Sequence, residues 1–148
     1  MELCIQKTLY FSTKPTTMKV IPYLNFEGKT EEVINTYRDI FNGNIESLMR
    51  FGDQFPGDDA SQDHIMHATL RFGENLLMFS DGMPGHTVTY GNGLHLCISL
   101  SDEAEAGRVF NALSEGGNVT MPLAKQFWGA LYGQVVDRFG VNWMINCQ

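Results

Sequence analysis

One five-residue phrase recurs in this chain with a single change, 67 residues further on, and it restricts the fold more than any other feature. Arg71-Phe72-Gly73-Glu74-Asn75 is echoed by Arg138-Phe139-Gly140-Val141-Asn142. Each copy follows an apolar-rich run and precedes another, which is the pattern of two strands joined by a tight turn. A repeated hairpin at this separation predicts a duplicated unit.

The segments around the two hairpins repeat in the same order. Thr30 is the predicted N-cap of a first helix, which ends at Asn42-Gly43. Asp102, with Glu105 completing a capping box, opens a second helix. Strands are predicted at Val20–Phe26, Ile45–Phe51, His64–Phe72, Leu76–Ser80, Leu94–Leu100 and Asn118–Leu123, and on both sides of the turn at 138–140 within Phe127–Cys147. Both halves therefore have the order β-α-β-β-β, and two such units must share one sheet system to bury a core.

The length of 148 residues predicts a single domain. Residues 1–17 are interpreted as an N-terminal extension, because the linker-like run 13–17 separates them from the strand that opens near Met18. An added edge strand over Leu3–Phe11 is the alternative. The domain is then 18–148, with modules at about 18–81 and 93–148.

Charge and cysteine content exclude several classes of function. The net charge is −7 and no basic run is present, which argues against a nucleic-acid partner and against an anionic membrane surface. No run of about 18 apolar residues is present to span a membrane. Cys4, Cys97 and Cys147 are odd in number and far apart, and the last two lie in apolar strands. We therefore expect buried, reduced thiols and a cytoplasmic location.

Several longer phrases carry a family resemblance. They are Pro22-Tyr23-Leu24-Asn25-Phe26, Leu77-Met78-Phe79-Ser80-Asp81-Gly82, Thr120-Met121-Pro122-Leu123, Phe127-Trp128-Gly129-Ala130 and Asp137-Arg138-Phe139-Gly140-Val141-Asn142-Trp143. With the paired modules, they make Met18–Gln148 resemble the PhnB-like branch of the vicinal oxygen chelate superfamily, which includes glyoxalase I, fosfomycin and bleomycin resistance proteins and extradiol dioxygenases.

The resemblance implies an α+β fold in which the two modules form an open, curved half-barrel sheet with the helices outside. It also implies a homodimer and a ligand cup between the modules. Some members of the branch are labelled demethylubiquinone methyltransferases. This chain has no glycine-rich strand-to-helix turn of the nucleotide-binding kind, so we do not expect that activity.

The resemblance also indicates where a metal site would lie. Metal-dependent members take His or Gln from the first strand of each module and Glu from the fourth, four residues after the hairpin glycine. The fourth-strand positions here are Leu77 and Met144, and only His95 matches a first-strand position, because its counterpart falls near Ile21 or Pro22. One ligand of four cannot hold Zn²⁺ or Fe²⁺, so no metal and no cofactor are expected.

Four residues are candidates for binding a small organic molecule. His95 is either a hydrogen-bonded histidine of the cup or core, or a general base or orienting donor, since the pKa of imidazole lies near neutral pH. Phe79 shares the strand parity of Leu77 and is expected to face the cup. Trp128 and Tyr132 either stack on the ligand or belong to the core. Such a mostly apolar pocket suits a neutral or weakly acidic organic molecule better than a phosphate.

Three functions remain open on the sequence. The first is a metal-independent, PhnB-like protein that binds a small molecule. The second is a lyase, isomerase or transferase of the glyoxalase or resistance type that uses His95. The third is a dimer that sequesters a drug without chemistry. Asp81 is a further candidate acid, although an Asx turn residue is the commoner role for aspartate before glycine.

Overall fold

The computed structural model describes residues 18–57 and 60–148. The first half contains strands β1 (Tyr23–Asn25), β2 (Asn44–Arg50), β3 (Ile65–Phe72) and β4 (Asn75–Ser80), with helices α1 (Thr30–Phe41) and α2 (Phe51–Gln54). The second half contains β5 (Leu96–Leu100), α3 (Glu103–Ser114), β6 (Asn118–Lys125), β7 (Leu131–Val136) and β8 (Asn142–Cys147). Residues 1–17, the predicted N-terminal extension, lie outside the described residues.

The eight strands form two open four-stranded sheets with the same topology. Their orders are β1-β4-β3-β2 and β5-β8-β7-β6. The first pair in each sheet is parallel and the other two pairs are antiparallel. The structure is therefore the α+β arrangement of two β-α-β-β-β units that the repeated order predicts, and neither sheet closes into a barrel.

One face of each sheet packs on a helix and the other face is open. In β5, Leu96 and Ile98 pack against the core, whereas Cys97 between them is exposed. In the neighbouring β8, Trp143 and Ile145 are buried at 2% and 0% exposure. The alternation places every second residue of each strand on the open face. A single core cluster joins residues of both halves.

Asp81 fixes the start of α1 from the end of β4. Its carboxylate accepts hydrogen bonds from the backbone N–H of Thr30 at 2.9 Å and of Ile65 at 2.7 Å. The prediction that Thr30 is the N-cap is wrong, because Thr30 is the first helical residue and Lys29, at the N-cap, makes no side-chain capping bond. A carboxylate from elsewhere in the module supplies the cap instead.

The start of α3 agrees with the prediction for its cap. The Asp102 carboxylate accepts hydrogen bonds from the backbone N–H of Ala104 and Glu105. The Glu105 side chain, however, bonds to Arg108 rather than completing a capping box. An exposed helix face offers an arginine one turn away, so the carboxylate pairs along the helix.

The two copies of the repeated phrase form different turns. β3 and β4 pair from Phe72 with Asn75, so two residues separate the strands. β7 and β8 pair from Val136 with Asn142, so five residues separate them. Side chains in a strand alternate between the two faces of the sheet. The two turns differ by three residues, an odd number, so residues at matching positions after the two turns lie on opposite faces.

Because of this difference between the turns, the two fourth-strand positions counted from the hairpin glycines, Leu77 and Met144, lie on opposite faces of their sheets. Leu77 is 4% exposed and packs on the helix side of its sheet. Met144 pairs with Cys97 and Gln134 on the open side. On the open face of β4, the residues that flank Leu77 are Leu76 and Met78. The fourth-strand position at which a metal ligand would lie is therefore still apolar, although Leu77 itself does not occupy it.

The remaining differences from the predictions concern where individual strands and helices begin and end. β1 starts at Tyr23, so 18–22 lead into it without forming strand. α2 begins at Phe51, which was predicted as the last residue of the second strand. Among the described residues, no helix is both long and apolar enough to cross a membrane.

Candidate functional site

A groove lies between the segment that leads into β1, the β3–β4 hairpin and the outer edge of β5. Its volume is about 820 Å³. The lining residues are Lys19–Pro22, Arg71, Phe72, Glu74–Leu77, His95–Ser99 and Trp143. Both halves of the chain contribute, so the groove exists only when the two units are assembled.

The shortness of β1 produces this groove. β1 pairs only with the last three residues of β4, in the register Tyr23 with Met78 through Asn25 with Ser80. The first half of β4 therefore has no strand on that side. β5 is likewise the outermost strand of its sheet. The gap beside these two strand edges is the groove.

His95 lies on the groove wall directly before β5. It is half-buried, and its side chain has no hydrogen bond or ion pair to any other described residue. It shares the parity of Cys97 and Ser99, which also line the groove on the side away from the helices. An imidazole in this position retains both ring nitrogens for a bound molecule, as donor or acceptor.

The groove carries more charge than the sequence indicated. Lys19, Arg71 and Glu74 line it in addition to His95. The Arg71 guanidinium forms a two-pronged pair with the exposed Glu46 carboxylate, whereas Lys19 has no ion pair within the described part of the chain. The prediction of a single polar group in the pocket is therefore wrong, whereas the predicted apolar character of most of the wall is confirmed. Strand alternation at Arg71 was the available signal, since it places that side chain on the open face.

Phe79 does not reach the groove. Its side chain is 0% exposed, and its ring centroid lies 6.5 Å from that of Phe26 and 6.1 Å from that of Tyr37. The shared parity with Leu77 was correct, but that face of β4 is the one covered by α1. The expectation that Phe79 faces the cup is therefore wrong.

Trp128 and Tyr132 lie together, but they are separate from His95. Trp128 is 48% exposed in the turn before β7, and its ring is 5.8 Å from that of Tyr132. The adjoining Phe127 is 98% exposed. Because β8 lies between β7 and β5 in the sheet, these aromatics do not line the groove.

The thiols differ from the expectation that both are buried. Cys147 is 2% exposed, but Cys97 is exposed on the groove wall, and both are free. An apolar run in a strand does not reveal which residues face solvent when the strand is at a sheet edge. Cys4 lies outside the described residues.

A second histidine occupies the open face of the first sheet. His67 Nδ1 and the Tyr23 hydroxyl are 3.0 Å apart. His64 lies outside β3, with its ring beside Gly28. Within residues 18–57 and 60–148, no three or more His, Cys, Asp or Glu side chains are grouped so as to hold a metal ion.

Comparison with known sequences places this fold in a protein family. The model of the family described as 3-demethylubiquinone-9 3-methyltransferase matches residues 18–146. The protein YjdN of Escherichia coli K12 is 29% identical over 140 residues, which is 87% of this chain and 95% of YjdN.

Solved structures give the same assignment. Protein PA1353 from Pseudomonas aeruginosa is 41% identical with a TM-score of 0.81, over 89% of this chain and 98% of that one. A PhnB protein from Bacillus cereus is 29% identical with a TM-score of 0.77, over 88% and 100%. A lactoylglutathione lyase from Agrobacterium tumefaciens has a TM-score of 0.55 at 14% identity, over 90% and 95%, which shows a shared fold only.

Proposed function

Because the chain belongs to the PhnB-like 3-demethylubiquinone-9 3-methyltransferase family within the vicinal oxygen chelate superfamily, we propose that it binds a small, weakly acidic organic molecule in the groove beside His95. Binding requires no metal in this proposal. The protein acts as a cytoplasmic homodimer.

One observation carries the proposal. A half-buried imidazole without a partner among the described residues lines a groove of about 820 Å³. Ligand sites for small molecules are concave, mostly apolar and equipped with a few polar groups that fix orientation. A polar side chain that the fold leaves unpaired is available to a ligand at no cost in internal hydrogen bonds.

The charges around His95 favour an acidic group on the ligand. Lys19, on the same groove, pairs with no acidic group among the described residues, while the charge of Arg71 is offset by the carboxylates of Glu46 and Glu74. Val20, Leu76 and Leu96 contribute to the apolar wall. A carboxylic acid or acidic enol bound with its polar end toward His95 and Lys19 matches this distribution.

Metal independence rests on the open face of the fourth strands. Met78 and Met144 occupy this face, where the family resemblance implies acidic ligands in metal-dependent members. Thioethers do not satisfy Zn²⁺ or non-haem Fe²⁺, which require nitrogen, oxygen or thiolate donors. Methyl transfer is not part of the proposal, because no Gly-x-Gly-x-x-Gly turn is present in the sequence.

The experiment uses His95→Ala and a matched control. Purified protein is screened by thermal shift against a panel of weak organic acids, and each hit is titrated by calorimetry. We expect His95→Ala to abolish or weaken binding at least tenfold while the melting temperature of the free protein stays within about two degrees. His86→Ala removes an exposed histidine in the linker and should change neither quantity.

Three outcomes decide between the readings. Loss of stability without loss of binding makes His95 a packing residue and overturns the proposal. Turnover of a bound compound that disappears in His95→Ala, with affinity retained, assigns His95 a general-base role and makes the protein an enzyme. Tight binding of a bulky antibiotic without turnover, unaffected by His95→Ala, favours a sequestering dimer instead.

A further inference from the structure

We propose a second ligand site, the counterpart of the His95 groove in the duplicated fold, that binds a small aromatic carboxylate. It is a cavity of about 420 Å³ between the end of β1, the linker that leads into β5 and the β7–β8 hairpin. This site goes beyond the proposed function, because it shares no residue with the first groove.

The duplication accounts for the location of the cavity. The first groove is bounded by the lead-in to β1, the hairpin of the first module and a strand of the second module. The second cavity is bounded by the lead-in to β5, the hairpin of the second module and a strand of the first module. When the two modules are exchanged, each wall of the first groove corresponds to a wall of the second cavity. The repeated fold therefore generates two related concave surfaces.

The two cavities differ in chemistry because the walls of the second are aromatic. Tyr90, Phe139 and Phe26 line it. The Phe26 ring lies 5.8 Å from Tyr90 and 6.4 Å from Phe139. The Tyr90 hydroxyl donates to the carbonyl of Asn25 at 2.6 Å, which holds its ring in place. Tyr90 and Phe139 remain half-buried, so each presents ring surface to a planar guest.

The charged residues of the cavity leave one cation available. Glu27 accepts a hydrogen bond from the backbone N–H of Val88 at 2.5 Å. The Arg138 guanidinium lies 4.7 Å above the Phe139 ring and 3.3 Å from Glu32. Lys29 is exposed and pairs with no acidic group of the described chain. An anionic group at the rim therefore meets Lys29, because the charge of Arg138 is already paired with Glu32.

Together these features select a ring and an acid on one small molecule. The ring stacks on Tyr90 and Phe139, and the carboxylate points toward Lys29. A cavity of this size holds a single substituted benzene ring. A purely aliphatic acid would lose the ring contacts, and an uncharged aromatic amide would lose the ion pair.

The test is a titration of ¹⁵N-labelled protein with benzoate, cyclohexanecarboxylate and benzamide, followed by amide chemical shifts. We expect saturable shifts for benzoate at Val88–Tyr90 and Gly140, with affinity several-fold weaker for the two analogues. Lys29→Gln should weaken benzoate about three- to fivefold, the scale of one exposed ion pair. Lys125→Gln, at a lysine that lines neither cavity, is the matched control and should leave the benzoate affinity unchanged.

Each contrary outcome overturns the proposal. They are the absence of saturable shifts at these amides, equal affinity for cyclohexanecarboxylate, and insensitivity to Lys29→Gln. Shifts that appear only around His95 and weaken in Lys19→Gln would show that benzoate occupies the first groove. That last result would support the proposed function while removing the second site, so the two hypotheses fail separately.

Discussion

The Tyr37 hydroxyl, on the helix of the first module, donates a 2.5 Å hydrogen bond to the Asp137 carboxylate in the hairpin of the second module. The same carboxylate accepts from Trp143 Nε1 at 2.9 Å and from the backbone N–H of Phe139 and Val141. Asp137 is 5% exposed, and Tyr37 is fully buried. Four donors converge on one buried carboxylate that joins the two units.

Replacement of Asp137 should therefore destabilise the fold strongly. In Asp137→Ala four buried or half-buried donors lose their acceptor, and we expect a loss of about 3–5 kcal/mol in the free energy of unfolding. Tyr37→Phe removes one donor and should cost about 1–3 kcal/mol. Urea denaturation followed by fluorescence measures both. The exposed Asp39→Ala is the control, with an expected change below about 1 kcal/mol; an equally small effect at Asp137 would contradict the central role of this joint.

Alkaline pH should weaken the protein through two tyrosines. Burial and the neighbouring Asp137 carboxylate raise the pKa of Tyr37, and burial raises the pKa of Tyr90. A raised folded-state pKa contributes stability that is complete below the unfolded pKa, near 10, and is lost as pH rises toward the folded value.

Each group should lower the free energy of unfolding by up to about 1.4 kcal/mol per pH unit above pH 10. Urea denaturation at pH 8, 10 and 11 measures this slope. In Tyr37→Phe the slope should be shallower by the contribution of one group. If the slope in Tyr37→Phe equals that of the unsubstituted protein, Tyr37 ionises as readily in the folded protein as in the unfolded chain.

Residues 1–17 should be dispensable. The duplicated unit begins near Met18, so a chain that starts there should retain its melting temperature within about two degrees. Differential scanning calorimetry on both chains makes the comparison. A loss of several kcal/mol would show instead that the Leu3–Phe11 run pairs as an additional edge strand.

Chelation should leave the protein unchanged. Because Met78 and Met144 occupy the open-face positions of the fourth strands, EDTA should alter neither the melting temperature nor the binding of any ligand found. Elemental analysis of the purified protein is the complementary measurement. Stoichiometric Zn²⁺, Ni²⁺ or Fe²⁺ that is lost together with binding would contradict a metal-independent site.

We predict that two copies of the chain form a dimer through the exposed end of the second sheet. β6 is an edge strand with Val119 41% and Met121 39% exposed, and the adjoining Phe127 is 98% exposed. Exposed apolar clusters of this kind mark contact surfaces, and a second copy of the chain is the occupant we propose. Phe127→Asp should shift the sedimentation coefficient from dimer to monomer. The isosteric control Phe127→Tyr should remain dimeric, and a wild-type monomer would refute the assignment.

The sequence identified the repeated module correctly, because hydrophobic period, glycine turns and helix ends are local properties. The β-α-β-β-β order along each half followed from residues within a few positions of each other. So did the start of α3 after Asp102 and the approximate ends of most elements. His95 was singled out by the family resemblance rather than by a local pattern, and in the structure it lines a groove directly before β5.

Tertiary structure decided which face of each strand meets the ligand. The phrases Arg71–Asn75 and Arg138–Asn142 differ at one residue, Glu74 against Val141, but they form turns that differ in length by three residues. An odd difference reverses the parity of every later side chain, so Leu77 and Phe79 point into the core while Met144 points outward. Hairpin length is set by pairing with neighbouring strands and by the Asp137 carboxylate, which binds across the turn. Its bonds to Phe139 and Val141 are local to the hairpin, but the Tyr37 hydroxyl that also binds it lies 100 residues away, so no pattern around the hairpin reveals that this carboxylate joins the two units.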